Sequence, residues 1–401
     1  INLMEAHFDR DFSRVRRSGL GCENAGEADD AQQVASHYNS LSDRHRSLTS
    51  GSDILHVRNL HNFIKAVLIG QHMQRGWSVL DLACGKGGDM LKFKNGGCMQ
   101  YVGVDIAMMS VRDAISRYNG RSGRASMPFA ATFIAADFCD EALGEAIPPQ
   151  MHFHLVSCQF AVHYAFSSEA RALAMLRNVS CRLLPGGFFV GSMPDARVLV
   201  RRLREAPELE FGNSCYRVVF NEAHASKRFP AGDPFGIAYR FTMTEAVDDC
   251  QEFLVPLPVL CKLAEQFDLA LEYAHNFTDF FCEQCGGHRD LLMRMKVFPE
   301  EDFLTEDEWE VAHSYLVFAF RKAGGNGSLP PVRKPRWSKV LEQDIITLDS
   351  AGVSGAREPS PQRVPVQAKS STPAMPEEPW PPRDPGETRD PVVYDSSELF
   401  H

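Results

Sequence analysis

The chain has 401 residues, 44% hydrophobic and 23% charged, the balance of a folded soluble protein and not of a fibrous or low-complexity one. Its formal net charge of −10 excludes a surface that tracks a nucleic-acid backbone throughout, since such binding neutralises phosphates with Lys and Arg; a nucleic acid would have to be gripped locally. No apolar run reaches membrane-spanning length, no secretory leader pattern is readable, and the 11 cysteines are scattered in apolar contexts, so an intracellular protein without disulfides is expected.

Residues 1–33 are polar and aperiodic, and are read as a partly disordered N-terminal arm. NLHNFIKAVLIGQHM then has helical spacing of apolar residues, and WSVLDLAC, a short apolar run between Gly76 and Gly85, suits a buried parallel strand. QYVGVDIA, ATFIAADF and HFHLVSCQF repeat the strand pattern, with SVRDAISRY as a helix after the second. EARALAMLRNVSCRLL is a helix after the fourth, stopped at Pro185-Gly186-Gly187, and FFVGSMP makes a fifth strand. The alternation then breaks: NSCYRVVFN and GIAYRFTM read as antiparallel strands, PLPVLCKLAEQF as a helix, LALEYAHNF and HSYLVFAFRKA as closing strands. The expected fold class is α/β, a Rossmann-like, doubly wound, mostly parallel seven-stranded sheet with a small antiparallel insertion at about 195–265 in a domain spanning 34–322. From residue 323 to 401 the composition shifts to a segment that holds about half of the prolines and few aliphatics, and is read as a disordered tail.

VLDLACGKGGDM is the sharpest local signal. A strand ending at Asp81 and turning through Gly85, Gly87 and Gly88 brings bare backbone close to a ligand. Asp105, about twenty residues on at the next strand end, stands where this fold type hydrogen-bonds a ribose. The turn is not G-x-G-x-x-G, and Asp81 within it would repel pyrophosphate while attracting an ammonium or sulfonium; this favours S-adenosylmethionine over a dinucleotide. Asp137, at the third strand end, is a candidate for the adenine amino group, with a helix cap as the plainer alternative.

Together VASHYN, RNLHNFIKAVLIG, VLDLACGKGGDMLKFK, SCQFAVHYAF, LLPGGFFVGSMP, QEFLVP and SYLVFAF resemble the segments of eukaryotic mRNA cap guanine-N7 methyltransferases, in family order from Val34 to Lys322. The resemblance implies a class I S-adenosylmethionine-dependent enzyme that methylates N7 of the GpppN cap. It implies a donor site of Lys65, Asp81, Ala83, Gly85, Asp105, Asp137, Gln159 and Tyr164. It places Lys86, Lys92 and Arg117 against the triphosphate, and His61, Asn62, Phe160, His163, Tyr164, Pro194, Glu252 and Tyr315 at the cap and its guanine. Family members commonly carry Asn in place of His61, Gly in place of Ala83 and an aromatic residue in place of Pro256. Guanine N7 has a free lone pair, so in-line transfer needs no general base; His163, Tyr164 and Glu252 are expected to position the reactants. No metal is expected: Cys282, Cys285 and His288 supply only part of a zinc set. A capped pre-mRNA end is the implied partner, with RNA triphosphatase, guanylyltransferase or RNA polymerase II machinery as protein partners, a monomeric state and a nuclear location. The alternatives are another S-adenosylmethionine-dependent RNA or small-molecule methyltransferase, or a catalytically silent RNA-binding homologue.

Overall fold

The computed structural model describes residues 34–36, 54–120, 126–229, 232–298, 304–325, 329, 331, 332 and 337–349, with the backbone of 352–354. The arm read at 1–33 and the tail beyond 354 lie outside the described residues, as does the HYN motif.

Helix α1 (Leu55–His72) buries Val57, Leu60, Phe63, Ile64, Val67 and Leu68, the three- and four-residue spacing of one helical face. It leads into β1 (Ser78–Leu82), buried at all positions. In succession follow α2 (Met90–Asn95), β2 (Gln100–Asp105), α3 (Met108–Tyr118), β3 (Ala130–Ala135), α4 (Leu143–Ala146), β4 (Phe153–Gln159), α5 (Glu169–Cys181) and β5 (Leu183–Pro194). Helix α6 (Ala196–Glu205) opens the excursion into β6 (Glu210–Gly212), β7 (Tyr216–Phe220), β8 (Ala238–Met243) and β9 (Val247–Phe253), a separate four-stranded antiparallel sheet. The chain returns through α7 (Leu257–Glu265), β10 (Leu269–Asn276), α8 (Phe277–Gln284), α9 (Arg289–Arg294), α10 (Glu306–His313) and β11 (Tyr315–Lys322).

Strand order in the main sheet is β10-β11-β5-β4-β1-β2-β3, with β1 to β5 parallel and β11 antiparallel to both of its neighbours, β5 and β10. Alternate side chains feed two cores: Val79, Tyr101 and Leu155 join α1 and α3 on one face, while Leu80, Val102 and Val156 join α4, α5 and α7 on the other. The chain moves outward from β1 to β3 and then crosses back to β4, so the order reverses between β1 and β4. In open α/β sheets the ligand crevice lies outside the carboxyl ends at such a point.

Among the described residues the sheet has nine strands, not the seven expected. Segment β12 (Ile346–Asp349) pairs in parallel with β3, Ile346 opposite Ile134 and Thr347 opposite Ala135, and β13 (Gly352–Ser354) folds back on it. The reading of everything from 323 onward as disordered is therefore corrected for residues 337–349. Composition averaged over the tail hides Val340, Ile345 and Ile346, which are buried, and β3 offers them an unpaired edge.

Candidate functional site

The carboxyl edge is built around the turn after β1. Ala83, Gly85 and Gly87 have φ of 55, 52 and 68°, the left-handed region that glycine enters at little cost. A Cβ added at Gly85 or Gly88 would meet nothing within 4 Å, so both present bare backbone to open space. Asp105 fastens this turn: one carboxylate oxygen accepts the Gly85 N–H at 2.8 Å, the other the Ala107 N–H at 2.9 Å. Each oxygen keeps a further lone pair for a ligand hydroxyl. Asp81 lies beneath the turn, accepts the Tyr101 hydroxyl at 2.8 Å, and is pushed up to about 8 by burial and by Asp89, against the pull of that hydrogen bond.

Asp89, the last residue of CGKGGD, was not singled out in the sequence, yet it joins two of the four expected basic groups. Lys65 on α1 donates to Asp89 Oδ2 at 2.9 Å, and Lys92 on α2 donates to Oδ1 at 2.6 Å and to Asn62 Oδ1 at 3.2 Å. Burial opposes ionisation of Asp89, but the two ammonium groups outweigh it and hold the carboxyl well below its ordinary range. Lys92 is thus an inward, paired cation, whereas Lys86 stands at the rim with Asp113 at 3.7 Å and Arg117 with the Gly87 carbonyl at 3.5 Å.

Asp137 lies two residues past β3 and Gln159 is the last residue of β4, each with internal partners. Asp137 accepts the Cys139 N–H at 2.9 Å, closing a local turn with no helix behind it, and pairs with Arg171 of α5 at 2.8 Å. Gln159 donates to Ser157 Oγ at 3.1 Å and accepts from Ser192 Oγ at 3.0 Å.

On the far side of the crevice, four rings cluster: His61, Phe160, Phe277 and Tyr315, with centroids 5.1 to 5.8 Å apart. Lys65 lies 5.8 Å from the Phe160 ring. Phe160 is held at φ 57°, a costly conformation for an aromatic residue, at the end of β4. Tyr315 opens β11 and pairs with Pro194, so the antiparallel strand brings its first residue to the carboxyl edge. The pKa of His61 is lowered to about 3 by burial and Lys65, and its Nε2 has no hydrogen-bond partner.

Next to this cluster, the 3-10 helix Val162–Ser167 carries His163 and Tyr164 with ring centroids 4.2 Å apart. Glu252, from β9 of the second sheet, places Oε1 3.5 Å from His163 Nε2 while Oε2 accepts the Tyr239 hydroxyl at 2.7 Å. Burial pushes Glu252 up to about 7, with the Tyr239 bond opposing, and drives His163 down to about 3. His163 is 2% exposed, yet neither ring nitrogen has a hydrogen-bond partner. An imidazole buried without partners beside a carboxylate can exchange hydrogen bonds with a polar group brought between them. Tyr239 was missed in the sequence, although the alternation in β8 sets it on the inward face with Phe241 and Met243; Phe277, brought in by α8, has no such signal.

Among the described residues, no group of three or more His, Cys, Asp or Glu is arranged to hold a metal ion. The family model for the mRNA (guanine-N(7))-methyltransferase domain matches residues 22–323. The chain belongs to the mRNA (guanine-N(7))-methyltransferase family. The mRNA cap guanine-N(7) methyltransferase 1 of Oryza sativa subsp. japonica is 44% identical over 307 residues, covering 74% of this chain and 83% of the relative. The Arabidopsis thaliana protein of the same name is 38% identical, covering 80% and 90%, and the mRNA cap guanine-N(7) methyltransferase of Schizosaccharomyces pombe is 36% identical, covering 79% and 89%. In this methyltransferase the match stops at residue 323, short of the ordered segment 337–349.

Proposed function

We propose that the chain transfers the methyl group of S-adenosylmethionine to N7 of the guanosine capping mRNA, with the donor against the glycine turn and the guanine between Phe160, His163, Tyr164 and Glu252. The observation that carries this is the His163–Glu252–Tyr239 group. A buried carboxylate held through one oxygen by Tyr239 leaves the other to accept from N1–H and the exocyclic amino group of guanine, a pair of donors that adenine lacks. The open backbone at Gly85 and Gly88 and the Asp105 carboxylate fit a ribose-bearing donor without phosphates. When bound, that donor supplies an electrophilic methyl group on sulfonium.

The residues then work by placement. Neutral His163 and Tyr164 hold the base in plane, and the anionic Glu252 counters the positive charge that N7 gains. Orientation of this kind supplies roughly 7–11 kcal/mol in favourable cases, and the nucleophile needs no proton removed. Lys86 and Arg117 at the rim meet the triphosphate, with Arg117 able to bind it bidentately; Lys92, already tied to Asp89, acts from behind them. Asp137 and Gln159 line the adenine end, and His61, Asn62, Pro194 and Tyr315 line the cap side. Capped pre-mRNA as partner, a nuclear location, action beside RNA triphosphatase, guanylyltransferase or RNA polymerase II, and a monomeric state follow from the family reading.

The test is methyl transfer from labelled S-adenosylmethionine to GpppA-capped RNA, with uncapped triphosphate RNA as control. The expected product is 7-methylguanosine, absent without the cap and largely lost in Glu252→Ala. Donor binding without transfer to capped RNA would refute this reading.

A further inference from the structure

The matched family region ends at residue 323, yet residues 337–349 are fastened to the fold, mainly through one helix. Asn119, just past α3, takes Val340 by both backbone groups: its Nδ2 donates to the carbonyl at 2.6 Å and its Oδ1 accepts the N–H at 3.1 Å. Tyr118, whose hydroxyl donates to the Phe129 carbonyl at 2.7 Å, stacks on Trp337 at 6.5 Å, and the Trp337 indole N–H donates to the Met127 carbonyl at 2.7 Å. Arg112 pairs with Glu342 at 3.3 Å. Val340, Ile345 and Ile346 are buried, and β12 closes the edge of β3.

The same helix serves the rim of the site. Asp113 pairs with Lys86, and Arg117, in the last turn next to Tyr118 and Asn119, reaches the Gly87 carbonyl. Last turns of helices fray, because their carbonyls lack helical partners. An arginine there is oriented only as well as the residues after it are pinned.

We propose that residues 337–349 form a strap that fixes the end of α3, making Asn119 and Trp337 positioning residues for Arg117 and Lys86 at the cap phosphates. This rests on the reading of Arg117 and Lys86 as phosphate contacts. A segment outside the family region thereby sets affinity for capped RNA without touching it.

The experiment uses the full chain and compares the parent with Asn119→Ala, Trp337→Ala, Trp337→Phe, Arg117→Ala and the Arg117→Ala/Asn119→Ala double variant. Steady-state kcat and KM for GpppA-capped RNA and for S-adenosylmethionine are read beside thermal unfolding. Asn119→Ala and Trp337→Ala should raise KM for capped RNA about three- to tenfold, with kcat and the donor KM near parental values, since small misplacements weaken an oriented contact steeply. Trp337→Phe, which keeps the stack, should recover most of that loss, and Asn119→Ala should add nothing once Arg117 is gone. A parental KM in both Asn119→Ala and Trp337→Ala, or additive effects in the double variant, would overturn the strap while leaving the phosphate reading intact. A parental KM in Arg117→Ala would remove the phosphate reading, and the strap's stated role with it.

Discussion

Replacing Glu252 by Gln separates what this side chain does for binding from what it costs the fold. The carboxyl is raised from its ordinary 4.5 to about 7, chiefly by burial, with the Tyr239 hydrogen bond opposing. Below pH 4.5 the group is protonated in both folded and unfolded chains and contributes nothing. Between 4.5 and 7 the unfolded chain ionises while the folded one keeps its proton, so stability falls as pH rises; above 7 the loss is complete. At 1.36 kcal/mol for each tenfold change in proton affinity, the plateau is about 3 kcal/mol. Glu252→Gln has no such proton, so its stability advantage over the parent should grow from near zero at pH 4.5 to about 3 kcal/mol at pH 8, measured by urea unfolding across that range. The parent's KM for capped RNA should fall as pH rises through about 7, since only the ionised carboxylate accepts both guanine donors, whereas the Glu252→Gln variant should give a higher KM that does not vary there. A stability difference independent of pH would refute the assignment of this burial cost to Glu252.

Asp89→Ala leaves the inward ammonium groups of Lys65 and Lys92 without their shared counter-ion and should destabilise the fold by about 3–5 kcal/mol, read by chemical denaturation. Ala83→Gly should raise stability by about 0.5 kcal/mol, the relief of a left-handed alanine less the entropy gained by the unfolded chain, visible as a higher Tm. Asp81, at about 8, is mostly protonated at pH 7, and a cationic donor placed above it should expel that proton. Donor binding should then release close to one proton at pH 7 and tighten as pH rises toward 8; calorimetry in buffers of different ionisation heat measures the release, and none would mean that Asp81 stays neutral under the donor.

The parallel strands were legible because each is a short apolar run, closed in β1 to β3 by Gly or Asp, and the late insertion because β7 and β8 carry a two-residue alternation. The glycine turn after β1 was legible because closely spaced glycines directly after an apolar strand have few uses other than a tight turn. What the sequence concealed depends on pairings across long separations. That Asp89 bridges Lys65 and Lys92 requires α1 and α2 to be set side by side, and that Asp137 meets Arg171 requires α5 to reach over from β4. Tyr239 becomes a partner of Glu252 only once β8 and β9 are in register, where the two residues face each other. In the tail, a few apolar residues among many prolines suffice because an existing strand edge receives them.

Asp105 has a consequence for the order of events. Its carboxylate grips the Gly85 and Ala107 amides from within the chain, and these bonds are expected to hold the loop in shape without help from a bound molecule. Those two amides should exchange slowly with deuterium in the free protein, and saturation with donor should slow them only slightly further. With exchange so little changed, the ordering entropy of binding would fall mostly on the donor.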